Sequence, residues 1–200
     1  MSHFKGVKTN NAKIDAKEKL RFFNNIKDLS VLDIFCGSGE MYNKSWKNAK
    51  HYEGIDIKKY NENDKRILHI GDAVAVIKNF KNINKFDVFD IDAYGSPYES
   101  LYAISNKIKI DNQKHFIITD GIEIDLRMGN LEQFFSLLAG ISSKKINNIH
   151  YLHDYLIKKI IENLCIKLNC KYKDFAIAKG IKGSGMRYFK FTLFKNVVLP

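Results

Sequence analysis

Along this chain, two apolar rhythms alternate. Short strand-like runs stand at Val31–Phe35, His51–Asp56, Ile67–Ile70, Phe86–Ile91 and His115–Thr119. Between them lie stretches in which apolar residues return at helical spacing: Ala73–Phe80, Glu99–Ile108, Leu131–Ala139 and Asn148–Leu168. Ahead of the first run, Asp15 is placed to cap a helix reaching about Lys27, with Leu20, Phe23 and Ile26 on one face. The run His115–Thr119 is continuous in large residues, which predicts a strand buried on both faces. After residue 170 the rhythm changes to alternation by two. Phe175–Gly180 and Arg187–Phe194, separated by Gly183, Ser184 and Gly185, predict an antiparallel hairpin. The pattern therefore predicts an α/β fold: a mostly parallel seven-stranded sheet with a C-terminal antiparallel hairpin and helices on both faces. It reads as one domain over 1–200, with a helical lead-in over 1–28, the chemically distinctive segments over 30–125 and the hairpin over 171–196.

Composition changes this picture in two respects. With 45% hydrophobic residues, 28% charged residues and 2 prolines, the chain has the make-up of an ordinary globule, which argues against disorder. The net charge of +11 favours a polyanionic partner, although an AT-rich genome also enriches lysine without any selection for binding. Cys36, Cys165 and Cys170 form no Cys-x-x-Cys pair and have no histidine at ligand spacing, so no metal site and no disulfide framework is expected. The first residues lack the apolar run of a signal peptide, and no later segment is long and apolar enough for a bilayer. The expectation is a cytoplasmic protein without a membrane partner.

The first strand runs into a tight turn, Asp33-Ile34-Phe35-Cys36-Gly37-Ser38-Gly39. Glycines at 37 and 39 allow backbone to pass close to a ligand. A dinucleotide fingerprint needs glycine at position 42, which is Tyr42, and a phosphate loop needs Gly-Lys-Ser/Thr, which the chain lacks here. Asp33 ahead of the turn suits a cationic ligand better than a phosphate. Two further carboxylates end strands, Asp56 after the second and Asp72 after the third, with Ala73 beside it. Phe35, Ile57 and Asp90 are counted with them as cofactor-side positions.

The fourth strand continues as Phe86-Asp87-Val88-Phe89-Asp90-Ile91-Asp92-Ala93-Tyr94-Gly95-Ser96-Pro97. A carboxylate followed by an aromatic residue at a strand end can accept protons from an exocyclic base amine while a ring face stacks on the base. Asp92 and Tyr94 are the predicted catalytic pair. The Asp-x-Phe-x-Gly-Ser-Gly turn resembles the first motif of Rossmann-like class I S-adenosylmethionine-dependent methyltransferases. The fourth-strand passage resembles that of the tRNA (guanine-N2) dimethyltransferase family, matching at Asp90, Asp92, Gly95, Ser96 and Pro97, with Tyr94 an aromatic exchange and Ala93 standing where the family has proline. Thr119-Asp120 echoes a further family motif.

The resemblance spans about residues 30 to 125. It implies S-adenosylmethionine as cofactor, with Asp56 at its ribose hydroxyls, Asp72 at its adenine amino group and Ala73 as a backbone donor there. It also implies methylation of guanine N2 in tRNA or another RNA, and Gly95, Ser96, Pro97 and Tyr98 on the substrate side. RNA is favoured over DNA as partner. Without room for the family's separate tRNA-binding domain, recognition would fall to the core or to a second protein. Two other readings stay open: an N6-adenine DNA methyltransferase, and an inactive cofactor-binding module.

Three lesser features remain. His150 and His153, three apart, are expected on a solvated helix face. Lys5, Lys8 and Thr9 precede the first helix and could close over the cofactor. Arg187, Lys190 and Lys195 interleave with Tyr188, Phe189 and Phe191, which suits either a nucleic-acid surface or a packed strand with charges outward.

Overall fold

The computed structural model describes residues 20–61, 63–142, 145–180 and 185–196. Its sheet is built from β1 (Ser30–Ile34), β2 (His51–Asp56), β3 (Ile67–Ile70), β4 (Val88–Asp92), β5 (Lys114–Asp120), β6 (Cys170–Lys179) and β7 (Arg187–Lys195). The strand order is β3-β2-β1-β4-β5-β7-β6. Strands β1 to β5 pair in parallel, whereas β7 runs antiparallel between β5 and β6. The predicted sheet, its closing hairpin and its α/β class are all present.

Alternation along the central strands sends side chains to two faces. Leu32, Ile34, Ile55, Phe89, Ile91, Phe116 and Ile118 enter the larger core, which is covered by α1 (Ala73–Asn79), α2 (Tyr98–Ser105), α4 (Gln133–Ala139) and α5 (His153–Leu168). Phe89, Phe116 and Phe191 stack on three neighbouring strands, with successive ring centroids 5.1 and 4.9 Å apart. Burying each such ring contributes roughly 1.5–3 kcal/mol. On the other face Val31, Tyr52, Val88 and Ile117 pack with Leu20 and Trp46.

The differences from expectation have local causes. The lead-in helix ends at Leu20 instead of Lys27; a single 3-10 turn, Ile26–Asp28, follows, and residues 15–19, like Lys5, Lys8 and Thr9, lie outside the described residues. Between β1 and β2 a π-helical turn, Tyr42–Trp46, whose polar Asn43, Lys44 and Ser45 break any apolar period, escapes a reading by periodicity. A short helix, α3 (Glu123–Arg127), is likewise too brief to show one. The fourth strand begins at Val88, because Phe86 closes a 3-10 turn and Asp87 accepts from the Ser30 amide at 2.9 Å. Asn148 adopts φ 61° and opens a 3-10 turn, so α5 starts at His153. The hairpin reaches back to Cys170 through a bulge between Lys173 and Ala176, where Asp174 has φ 56°. Gly183 and Ser184 lie outside the described residues. Among the described residues no helix is long and apolar enough to cross a membrane.

Candidate active site

In an open α/β sheet, ligands bind beyond the carboxyl ends of the strands where the strand order reverses. Here that point lies between β1 and β4. The turn after β1 stands on one side of it and the loop after β4 on the other.

Phe35 opens the turn in the left-handed region at φ 67°, and its amide and that of Cys36 both donate to Ile55 O, at 2.8 and 3.1 Å. A non-glycine residue held there stores local strain, a property that concentrates at functional sites. Gly37 and Gly39 continue with φ 53° and 92°. The Gly37 amide donates to Asp56 Oδ2 at 2.8 Å, so the carboxylate ending β2 is tied directly to the turn after β1. From beneath, Arg66 donates to Gly37 O at 2.9 Å while its guanidinium is held by Asp64 at 2.6 Å. A Cβ on Gly39 would lie 2.7 Å from Arg66 Cζ, and its φ of 92° favours glycine in its own right. Ile57, next along, is exposed, and Asp72 caps α1 by accepting from the Ala75 amide at 2.9 Å, with Ala73 buried behind it. Asp72 therefore serves the helix whether or not it also meets a ligand.

Asp33 is fully buried; its Oδ2 accepts from the Tyr52 hydroxyl at 2.8 Å, and its Oδ1 has no partner among the described residues. Burial, followed by the neighbouring charge of Asp90, pushes its carboxyl up to about 8, against the pull of Tyr52 and Arg21. A carboxyl raised from 3.8 to about 8 keeps its proton in the fold across that window, so the fold loses stability as pH rises through it. Asp33→Asn should therefore melt within about 2 °C of wild type at pH 4 and above it at pH 7. Thermal denaturation at both pH values checks this; a wild type that is the more stable at both contradicts it.

Asp90 pairs in register with Asp33 but is fully committed elsewhere. It accepts from Arg21 Nε at 2.6 Å and Arg21 Nη2 at 2.8 Å, and from Trp46 Nε1 at 2.9 Å. Its side chain ties β4 to the lead-in and to the π-helical turn from the interior. Burial opposes the Arg21 charge, yet the Asp90 carboxylate beside it holds its pKa above the usual arginine value.

Asp92, the last residue of β4, receives the Thr119 hydroxyl on Oδ1 at 2.7 Å from the neighbouring strand. Tyr94 is 81% exposed. The loop between them and α2 is pinned from β5, where the Gly121 amide donates to Gly95 O at 2.9 Å. A Cβ on Gly121 would press on Gly95 and Met186 Sδ at 3.3 Å, so glycine permits that approach. Ser96 Oγ accepts from the Tyr98 amide at 3.3 Å, and Pro97 leads into α2. Tyr98 itself corrects the sequence reading. Its ring is fully buried 4.9 Å from that of Phe135 and its hydroxyl donates to Asp120 Oδ2 at 2.5 Å, so it faces the core and not a substrate.

Known structures share this fold. The fold resembles TYW2 from M. jannaschii in complex with AdoMet at 12% identity and TM-score 0.58, over 96% of this chain and 79% of that one. It resembles Trm1 from Pyrococcus horikoshii with S-adenosyl-L-methionine at 12% identity and TM-score 0.58, over 90% of this chain and 54% of that one. A third likeness is to the N-methyltransferase NodS from Bradyrhizobium japonicum, at 11% identity and TM-score 0.55, over 94% and 100% of the two chains. The fold is that of the class I S-adenosylmethionine-dependent methyltransferases. No protein-family model and no curated protein sequence matches the chain.

Within that fold, sequence reading missed four supporting residues. Arg21, Trp46, Tyr52 and Arg66 carry no local motif, and each acts across at least 19 positions, on Asp90, Asp90, Asp33 and Gly37 respectively. His153 was expected in solvent but is fully buried, with Nε2 2.8 Å from Asp120 and Nδ1 2.9 Å from Glu123. Burial works against its proton, yet those two carboxylates raise its pKa. On β7, Phe189 and Phe191 enter the core while Arg187 pairs with Glu123 and Asp154.

Proposed function

We propose that this protein is an S-adenosylmethionine-dependent methyltransferase that methylates a base amino group of nucleic acid, guanine N2 in tRNA or another RNA. One observation carries the reading: at the point of strand-order reversal, a glycine turn bound to Asp56 faces an Asp92-Ala93-Tyr94 loop. The residues fit the cofactor. Asp33 offers a buried oxygen without a partner toward a cationic amino-acid end, and Phe35, Gly37 and Gly39 shape the turn. Asp56 and Ile57 would take the ribose side, with Asp72 and Ala73 at the adenine. When bound, the cofactor supplies a methyl carbon made electrophilic by its sulfonium.

The chain's own residues handle the acceptor. An exocyclic base amine is a poor nucleophile because its lone pair is delocalised into the ring. Asp92, its rotation set by Thr119, accepts an amine N–H and draws electron density back to nitrogen, while the exposed Tyr94 ring stacks on the base. Ala93 lacks the rigidity of the family's proline, and the Gly121–Gly95 hydrogen bond stiffens the loop from the other side. Gly95, Ser96 and Pro97 form the substrate-side wall. The net charge of +11 supports a polyanionic acceptor, and the resemblance at Asp90 to Pro97 supports RNA over DNA. Three cysteines without a disulfide are compatible with a reducing cytoplasm.

Titration calorimetry with S-adenosylhomocysteine tests the cofactor half. Asp56→Ala should weaken binding by about ten- to a hundredfold, the scale of one or two hydrogen bonds to a charged group. Transfer of labelled methyl to bulk RNA, duplex DNA or neither tests the acceptor half: label in DNA alone would replace this reading with a DNA enzyme, and binding without transfer would leave a cofactor-binding module.

A further inference from the structure

Beyond the acceptor loop, on the same carboxyl edge of the sheet, a cavity of about 430 Å³ opens between α3, the turn before α5 and the hairpin. Its volume is in the range of small-ligand sites. Gly121 joins it to the acceptor loop, since the Gly121 amide holds Gly95, and Arg187 in its wall is the register partner of Asp120.

Its floor carries two carboxylates, Glu123 and Asp154, and Arg187 bridges them at 3.1 and 2.8 Å. Two more cations stand on the rim: Arg127, 3.1 Å from Glu123, and Lys179, 3.0 Å from Asp154, with side chains 56% and 64% exposed. Three cations against two carboxylates leave the lining net positive, and the exposed pair can turn toward an incoming anion. Beside them Tyr151 is 79% exposed, its ring 4.1 Å from that of His150, whose Nδ1 is buried without a partner among the described residues. None of these groups is needed for the chemistry at Asp92.

We propose that this cavity is a second substrate subsite, which takes the phosphodiester of a nucleotide neighbouring the target in single-stranded RNA on Arg127 and Lys179 and stacks its base on Tyr151. The proposal rests on the reading of the acceptor as RNA. Cation pairs that follow the backbone beside an aromatic platform are how single strands are held without strict sequence readout. It also answers how a core of this size grips its substrate: the target base and its neighbour bind at adjacent strand ends.

The test is fluorescence anisotropy of a labelled single-stranded RNA twelve-mer against salt, with S-adenosylhomocysteine affinity measured in parallel. In Arg127→Ala/Lys179→Ala the slope of log affinity against log salt should fall by about 0.7, one phosphate contact. Tyr151→Ala should weaken binding about tenfold at every salt concentration with the slope unchanged. Both variants should bind S-adenosylhomocysteine as wild type does, which shows them folded. Variants that bind RNA as wild type does would overturn the subsite while leaving the RNA reading intact. Wild type that binds S-adenosylhomocysteine but no RNA at low salt would overturn both.

Discussion

Asp92→Ala should lower methyl transfer by about two to four orders of magnitude, the usual contribution of a positioned proton acceptor, while S-adenosylhomocysteine affinity stays within a few-fold. The carboxylate ends β4, 9% exposed, and receives the Thr119 hydroxyl. Removing it leaves Thr119 without that acceptor, a modest cost, but deprives the acceptor amine of the group that would draw electron density onto its nitrogen. Single-turnover transfer with preformed cofactor complex separates this from a binding defect. A variant that transfers at the wild-type rate would place the acceptor elsewhere.

Arg21→Ala should destabilise the protein by about 3–5 kcal/mol, the cost of leaving one member of a buried ion pair alone. Arg21 is 2% exposed and meets both oxygens of Asp90, which has no exposure at all. Natural domains are stable by only about 5–15 kcal/mol, so the variant should sit near the edge of folding. Arg21→Met/Asp90→Asn should recover most of the loss, because the amide still accepts from Trp46 Nε1 and the Asp90 charge goes with its partner. Urea unfolding of the three proteins checks the order. An Arg21→Ala loss under about 1 kcal/mol would mean that the pair does not brace the site.

Such a pair also marks what a sequence conceals. Gly37 and Gly39 were legible because a turn that needs left-handed backbone admits few residues, and Asp56 and Asp92 because both end apolar runs. The parallel run of the first five strands followed from their alternation with helices. Arg21 and Asp90 are 69 positions apart, and nothing local ties one to the other. Asp90 therefore read as a cofactor residue by its motif, although its carboxylate faces Arg21 and Trp46. Tyr98 follows Pro97 directly and read as part of the substrate wall. The first turn of α2 sends it inward to Asp120 instead, a direction set by packing against Phe135. His153, read with His150 as part of a solvated helix face, is instead buried, and Asp120 and Glu123 supply the two acceptors that make this tolerable.

The measurement that tests the account most directly is incubation of the purified protein with methyl-labelled S-adenosylmethionine and unmodified tRNA, followed by nucleoside mass spectrometry. The account predicts labelled N2-methylguanosine, absent with Asp92→Ala. Tight cofactor binding with no labelled nucleoside, or label on a base other than guanine, would contradict it.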